Sequence, residues 1–89
     1  MEKKVEEYLI KKTKEAGGVC LKWQSMYSRM SLDRLLFLPG GRLIVVETKQ
    51  KSGRMRPGQK VMVALLRGLG FDVRVLWTKE DVDNLFENL

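Results

Sequence analysis

The chain contains no histidine and a single cysteine among its 89 residues. The absence of histidine excludes a zinc site built from cysteine and histidine, and a catalytic triad that uses histidine as its base. The single cysteine, Cys20, cannot form an internal disulfide, and its apolar surroundings predict a buried, small hydrophobic residue. Any bound metal must therefore be held by oxygen ligands, a preference that favours magnesium or manganese.

Long apolar runs, low-complexity segments and internal repeats are also missing. Because the sequence shows neither a signal peptide nor a membrane-spanning run, we expect a cytoplasmic protein with no membrane partner. The length suits one small domain that spans residues 1–89. Its core must be small, so packing onto a partner chain would help to stabilise it.

Basic residues outnumber acidic residues, 17 against 11, which gives a formal net charge of +6. A small basic domain attracts polyanions, and nucleic acid is the commonest of them. The charge alone leaves open a basic protein that has no such partner.

The residue pattern predicts an α/β fold with elements in the order α-β-β-β-α-β-α. Apolar spacing predicts a helix over residues 2–16, and Pro39-Gly40-Gly41 predicts the turn of an antiparallel hairpin. A helix that begins at Pro57 would turn one apolar stripe inward, and a capping box would open the last helix. A right-handed crossover between the last two strands would make them parallel and the sheet mixed. The predicted strands are 19–23, 33–38, 42–49 and 72–77; the stripe is Met62, Leu65, Leu66 and Leu69; the capping box is Thr78 with Asp81.

Glu47 and Lys49 lie two residues apart near the end of the third predicted strand, so they point to the same face of the sheet. The hairpin can bring Asp33 beside them. Two carboxylates at one site repel each other, and a divalent metal relieves that repulsion. Because carboxylate-bound magnesium activates water and stabilises a phosphate, the pattern predicts a phosphodiesterase site. A glutamate and a lysine two residues apart also fit a solvated strand end, but the apolar run before Glu47 indicates a buried strand, where charges are costly unless paired or used.

Other residues extend this hypothesis. The backbone carbonyl of Thr48 could supply another metal ligand, and Lys49 could orient water or stabilise charge on the phosphate. Glu6 falls on the inward side of the first helix, either as a further ligand or as a boundary residue paired with a lysine such as Lys3. Gln59, in the first turn of a helix, could bond phosphate or water, or could be an ordinary polar residue.

Basic residues cluster in the two loops that flank these positions, and we expect them to follow a phosphate backbone. Lys22, in the first predicted strand, either reaches the proposed site or is solvated. The set comprises Lys22, Arg29, Arg34, Lys51, Arg54, Arg56 and Lys60.

Together these residues resemble the VRR-NUC family, a branch of the PD-(D/E)XK nuclease superfamily. The segments that carry the resemblance are Glu6-Glu7-Tyr8-Leu9, Leu21-Lys22-Trp23, Asp33-Arg34, Val46-Glu47-Thr48-Lys49, Gln59 and residues 70–75. The resemblance implies a restriction-endonuclease-like mixed sheet flanked by helices. It also implies the roles of the site residues: Glu6 as the helix acid, Asp33 and Glu47 as the metal-binding acids, Lys49 as the catalytic lysine, and Gln59 as the glutamine that follows the strand.

The activity implied is that of a magnesium- or manganese-dependent DNA endonuclease. Stand-alone members of this size resemble viral and bacterial nucleases that cut branched DNA, such as four-way (Holliday) junctions, as homodimers in a bacterial or phage-infected cell. A non-catalytic basic module that binds nucleic acid is the alternative. A restriction-type nuclease is a third possibility, although nothing in the sequence looks like a separate recognition domain.

The sequence departs from the family pattern in two places. Met30-Ser31-Leu32 stands where the family usually has Gly-Val-Pro, which changes the stiffness of the turn before Asp33. Thr48 stands where the family usually has leucine. Since its side chain should face away from Glu47 and Lys49, we expect catalysis to survive this change.

Overall fold

The computed structural model describes residues 3–23, 32, 34–49 and 54–89. These residues form three helices and four strands in the predicted order. No helix among them has the length and apolarity that a membrane crossing requires. The elements are α1 (Lys3–Glu15), β1 (Val19–Lys22), β2 (Arg34–Leu38), β3 (Arg42–Thr48), α2 (Pro57–Gly68), β4 (Asp72–Leu76) and α3 (Lys79–Glu87).

The four strands form one mixed sheet in the order β1-β2-β3-β4. The first three strands pair antiparallel, and β3 pairs parallel with β4. The hairpin of β2 and β3 and the parallel pair confirm the prediction from the sequence. Gly40 and Gly41 make the hairpin turn with φ values of 81° and 74°, a region that favours glycine. Because β1, β3 and β4 run in the same direction, they all finish at the same end of the sheet, which is the end where β2 begins. We call it the carboxyl end of the sheet.

Helices α1 and α3 cover one face of the sheet, which we call the α1/α3 face. Side chains alternate along β3, so Ile44 and Val46 point to this face while Val45 points to the other. The α1/α3 face holds the larger buried cluster, and a side-chain capping box of Thr78 and Asp81 fixes the start of α3. The cluster comprises Val5, Leu9, Leu36, Leu38, Ile44, Val46, Leu76, Val82 and Leu85.

Helix α2 covers the other face, the α2 face, where Val63 packs with Leu32, Val45 and Val73. The inward stripe predicted for α2 is only partly right. Met62 and Leu66 contact this cluster, but Leu65 and Leu69 are 52% and 66% exposed. Apolar residues occupy more than half of the circumference of α2, and the sheet packs against the side of the helix that carries Val63. The apolar pattern alone therefore could not identify the inward side.

Candidate active site at the carboxyl end of the sheet

Glu47 and Lys49 form an ion pair where β3 ends. The Lys49 ammonium lies 3.1 Å from Oε2 of Glu47, whose side chain is only 1% exposed. Both residues continue the alternation from Val45 and so belong to the α2 face. The Lys49 backbone N–H donates to the Leu76 carbonyl at 2.9 Å, which extends the pairing with β4 to this residue. The two side chains that the sequence places on one face therefore lie together.

The burial of Glu47 follows from the position of β3 between β2 and β4. A carboxylate taken out of water loses hydration that a cation and hydrogen bonds must replace. Lys49 supplies a cation at contact distance. Thr48, which lies between them, is also buried, and alternation turns its side chain to the α1/α3 face beside Leu76, its partner in the sheet. The substitution of threonine for the usual leucine therefore does not alter the face that carries Glu47.

Gln59 lies in the first turn of α2, on its inward side, and is buried. Its side-chain oxygen accepts a hydrogen bond from the Arg56 backbone N–H at 3.1 Å, which caps the helix start. Because α2 connects two parallel strands, it runs antiparallel to them and begins at the carboxyl end. The positive end of the α2 dipole and Gln59 thus lie at the same end of the sheet as Glu47.

Glu6 and Arg34 form a second ion pair on the α1/α3 face. Oε1 of Glu6 lies 3.1 Å from an Arg34 guanidinium nitrogen, and both side chains are mostly buried. Arg34 pairs with Val46 in the sheet and shares its face. Glu6 and Glu47 therefore belong to opposite faces. The described residues contain no group of three or more acidic or cysteine side chains that could hold a metal ion.

The sequence predicts that Arg34 follows the phosphate backbone and offers Lys3 as a partner of Glu6. The structure instead gives Arg34 as the partner. The alternation of β2 carries the signal that could have found this pair, since Arg34 lies in phase with Leu36 and Leu38, both of which pack with α1.

Four of the predicted basic residues are exposed at the carboxyl end of the sheet. Lys22 ends β1, Arg54 and Arg56 precede α2, and Lys60 lies in its first turn. With the helix start, they give this end a positive rim. Three other predicted site residues, Asp33, Arg29 and Lys51, lie outside the described residues, as do Met30 and Ser31 of the altered turn.

Cys20 does not belong to this site. It is half-buried and packs against the α1/α3 cluster, in partial agreement with the burial predicted for it. Burial raises the pKa of its thiol to about 11, so the thiol stays protonated at neutral pH and is a poor nucleophile.

Comparison with known proteins gives two similarities. The chain matches no family model. It is 36% identical over 75 residues to "Putative nuclease p44" of Acyrthosiphon pisum secondary endosymbiont phage 1, a match that covers 84% of this chain and 81% of that protein. It is also similar to a solved structure described as a VRR_NUC domain, with a TM-score of 0.90 and 28% identity over 97% of this chain and 94% of the other.

Proposed function

This chain belongs to the VRR-NUC family of nucleases, and we propose that it is a magnesium- or manganese-dependent DNA endonuclease. The observation that carries the proposal is the buried Glu47 carboxylate, held 3.1 Å from the Lys49 ammonium at a basic end of the sheet. Charged groups that a fold buries at the end of a strand are more often functional than those on a solvated surface. The family supplies the reaction class, which is hydrolysis of a phosphodiester bond.

The oxygen atoms at this end suit a hard divalent cation. We assign metal binding to the carboxylates of Glu47 and Asp33 and to the backbone carbonyl of Thr48. Asp33 directly precedes Arg34, whose partner in the sheet is Val46, the residue before Glu47. A bound magnesium or manganese ion would polarise the phosphate and lower the pKa of a water molecule.

Lys49 and Gln59 act directly on the reacting groups in this proposal. The Lys49 ammonium is a fixed donor, and it orients the attacking water or stabilises negative charge as it develops on the phosphate. Gln59, at the positive start of α2, bonds a phosphate oxygen or a water molecule. Because Glu47 is buried, its charge is only weakly screened by solvent, which strengthens its attraction for any cation beside it.

Glu6 supports the site from the other face of the sheet. Its ion pair with Arg34 joins α1 to the first residue of β2, and the preceding residue is Asp33. We therefore assign Glu6 and Arg34 to holding the start of β2 in place for catalysis. This assignment takes Arg34 away from direct contact with phosphate.

The exposed cations at the carboxyl end provide the DNA-binding surface. Lys22, Arg54, Arg56 and Lys60 surround the start of α2, and Arg29 and Lys51 belong to the same basic segments of the sequence. We propose branched DNA as the substrate. A four-way junction has twofold symmetry, and a homodimer supplies the two active sites that symmetrical cutting needs. The proposed setting is the cytoplasm of a bacterium or of a phage-infected host cell.

The test uses a four-way junction, a flap and a linear duplex, each with magnesium, with manganese and with a chelator. We expect metal-dependent cutting, fastest on the branched substrates and lost in Asp33→Ala. Glu7, an exposed residue of α1, gives a matched control, since Glu7→Gln should cut like the wild type. Cutting that survives either the chelator or Asp33→Ala would overturn the proposed mechanism.

Two other results would support the alternatives. Salt-sensitive DNA binding without cutting under any metal condition would indicate a non-catalytic module. Cutting that follows base sequence rather than DNA shape would indicate a restriction-type nuclease.

A further inference from the structure

The outer side of α2 carries no charged residue between Val61 and Leu69. Val61, Leu65 and Leu69 are all more than half exposed, and Ala64 and Gly68 are exposed beside them. A surface helix normally places charged and polar residues opposite its buried stripe. A helix that is apolar on both its inner and outer sides is expected to be covered on both.

Arg67 shows how α2 is rotated on the sheet. Its guanidinium donates two hydrogen bonds, of 3.1 and 2.8 Å, to the Val73 carbonyl. The Leu76 carbonyl bonds to the residue that follows β3, so alternation places the Val73 carbonyl on the free edge of β4. At about 100° per residue, Leu65 and Leu69 lie about 160° around α2 from Arg67. They therefore lie away from this edge, on the outer side of α2 opposite the inward residue Val63.

Among the described residues, no element covers the half of the sheet beside α2 that β1 and β2 form. Val19 pairs with Phe37, and Leu21 pairs with Leu35, which packs in the α2-face cluster. All of these side chains therefore belong to the α2 face, yet Val19, Leu21 and Phe37 are about half exposed. We group the exposed apolar residues of these strands with those on the outer side of α2 as one surface. This open apolar face consists of Val19, Leu21, Phe37, Val61, Leu65 and Leu69, each 45 to 66% exposed.

We propose that the open apolar face is the surface through which two copies of this chain form a dimer. In this dimer, α2 of each copy packs on the uncovered half of the other copy's sheet. The inference rests on the homodimer of the proposed function, to which it adds the surface and the orientation of the two copies.

Shape, area and charge each favour a second copy as the occupant. The face combines a projecting helix with a flat half-sheet, so two copies related by a twofold axis fit each other reciprocally. Six side chains that are about half exposed offer on the order of 500 Å² of apolar surface, at the upper end for a monomer and most of the roughly 800 Å² per partner of a standard interface. None of the six side chains is charged although the chain carries +6, so the face does not suit DNA.

The orientation of the dimer follows from the same geometry. When the two sheets lie face to face, a twofold axis perpendicular to the strands would place α2 of one copy against α2 of the other. A twofold axis parallel to the strands instead places each α2 over the other copy's uncovered half-sheet. An axis along the strands also leaves the carboxyl ends of both sheets at the same end of the dimer. The two copies of Glu47 and Lys49 would then face one DNA molecule together, as the symmetrical cutting of a junction requires.

The first experiment measures mass by sedimentation or light scattering, without DNA or metal. We expect the wild type at twice its 10.3 kDa chain mass, Leu65→Lys at the mass of one chain, and the matched control Ile10→Lys, at an exposed apolar position of α1, at the dimer mass. A monomeric wild type at about 100 μM, or a Leu65→Lys variant that stays dimeric, would overturn the proposed interface.

A second experiment decides the question if Leu65→Lys fails to fold. An axis along the strands places the two α2 helices side by side and parallel, so each Leu65 lies near its equivalent in the other copy. In a Cys20→Ser background, Leu65→Cys should be joined into dimers by a short bismaleimide, whereas Ile10→Cys should stay monomeric in denaturing electrophoresis. Equal cross-linking of the two variants would contradict the orientation.

Neither readout depends on catalysis, so the two proposals can fail separately. A Glu47→Gln chain that is dimeric but still cuts DNA would refute the proposed active site and leave the interface standing. A Leu65→Lys monomer that still cuts a junction in both strands at the wild-type rate would support the interface while removing the need for two joined sites.

Discussion

The two faces of the sheet differ in how completely they are covered. Two helices cover the α1/α3 face, and neighbouring residues of β2 show the contrast with the α2 face: Leu36 is 0% exposed and Phe37 is 45% exposed. In the part of the chain that the structure describes, a single helix covers part of the α2 face and leaves its own outer side apolar. The comparison teaches that one face is closed by packing within the chain, while the other, which carries Glu47 and Lys49, is left partly open.

The two ion pairs at the carboxyl end repeat this contrast. Both have an N···O distance of 3.1 Å. Glu6 and Arg34 are 28 positions apart and join a helix to a strand, whereas Glu47 and Lys49 are two positions apart and join nothing that the chain does not already connect. The local pair offsets the cost of burying a carboxylate but joins no distant parts of the chain. We therefore assign a structural role to the first pair and a chemical role to the second.

The largest expected effect comes from breaking the chemical pair. Lys49→Ala should slow the cutting of a junction by about 10²- to 10³-fold, the usual loss when one donor to developing charge is removed. Single-turnover cleavage measures this rate, and Lys11→Ala, at an exposed position of α1, is the control. A Lys49→Ala rate within threefold of the wild type would remove the distinction between the two pairs.

The next effect compares the two faces through neighbouring residues. Leu36→Ala removes a fully buried side chain and should lower the free energy of unfolding by about 3 kcal/mol. Phe37→Ala should lower it by less than about 1 kcal/mol in the Leu65→Lys background, where dimer contacts are removed. Urea unfolding measures both. Equal losses would show that the α2 face is as closed as the other.

A smaller effect concerns the rim of the site. Lys60→Gln should weaken binding to all DNA sequences alike and reduce the slope of log affinity against log salt by about one. Fluorescence anisotropy over a series of salt concentrations gives this slope, with Lys11→Gln as the control on α1. An unchanged slope would place the phosphate path elsewhere.

The smallest effect lies at the opposite end of the sheet. A hydrogen bond from the Arg74 guanidinium holds the pKa of the Asp72 carboxyl below its usual value. Because the folded pKa is the lower one, this stabilisation is complete above about pH 3.9 and is lost as the pH falls through the folded pKa. Asp72→Asn should cost roughly 0.5 kcal/mol at pH 7, since the pair is partly solvated, and progressively less below pH 3.9. Urea midpoints at pH 7 and pH 3 test the trend, and a constant cost would contradict it.

Much of the fold could be predicted from local signals. The glycines at positions 40 and 41 fix a hairpin, the run before Glu47 predicts a central strand, and Thr78 with Asp81 predicts the start of α3. The ion pair of Glu47 and Lys49 could also be predicted, because it depends only on alternation within one strand.

Contacts between residues far apart in the chain are harder to predict from the sequence. The pairing of Glu6 with Arg34 depends on which face α1 covers, and a helical pattern does not carry that information. The apolar stripe predicts that Leu65 and Leu69 face inward, which is wrong because the apolar arc of α2 is wider than one side of the helix. The exposed apolar residues on the outer side of α2 can be explained only when the exposed strands β1 and β2 beside this helix are known.

The most direct test of the central claim is the rate at which Glu47→Gln cuts a four-way junction with saturating magnesium. Glutamine keeps the size of the side chain and removes its charge, and Glu7→Gln makes the same change at an exposed position of α1. We predict that Glu47→Gln remains folded and dimeric but cuts at least about 10²-fold more slowly, whereas Glu7→Gln cuts like the wild type. Cutting by Glu47→Gln at the wild-type rate would contradict the assignment of catalysis to the α2 face.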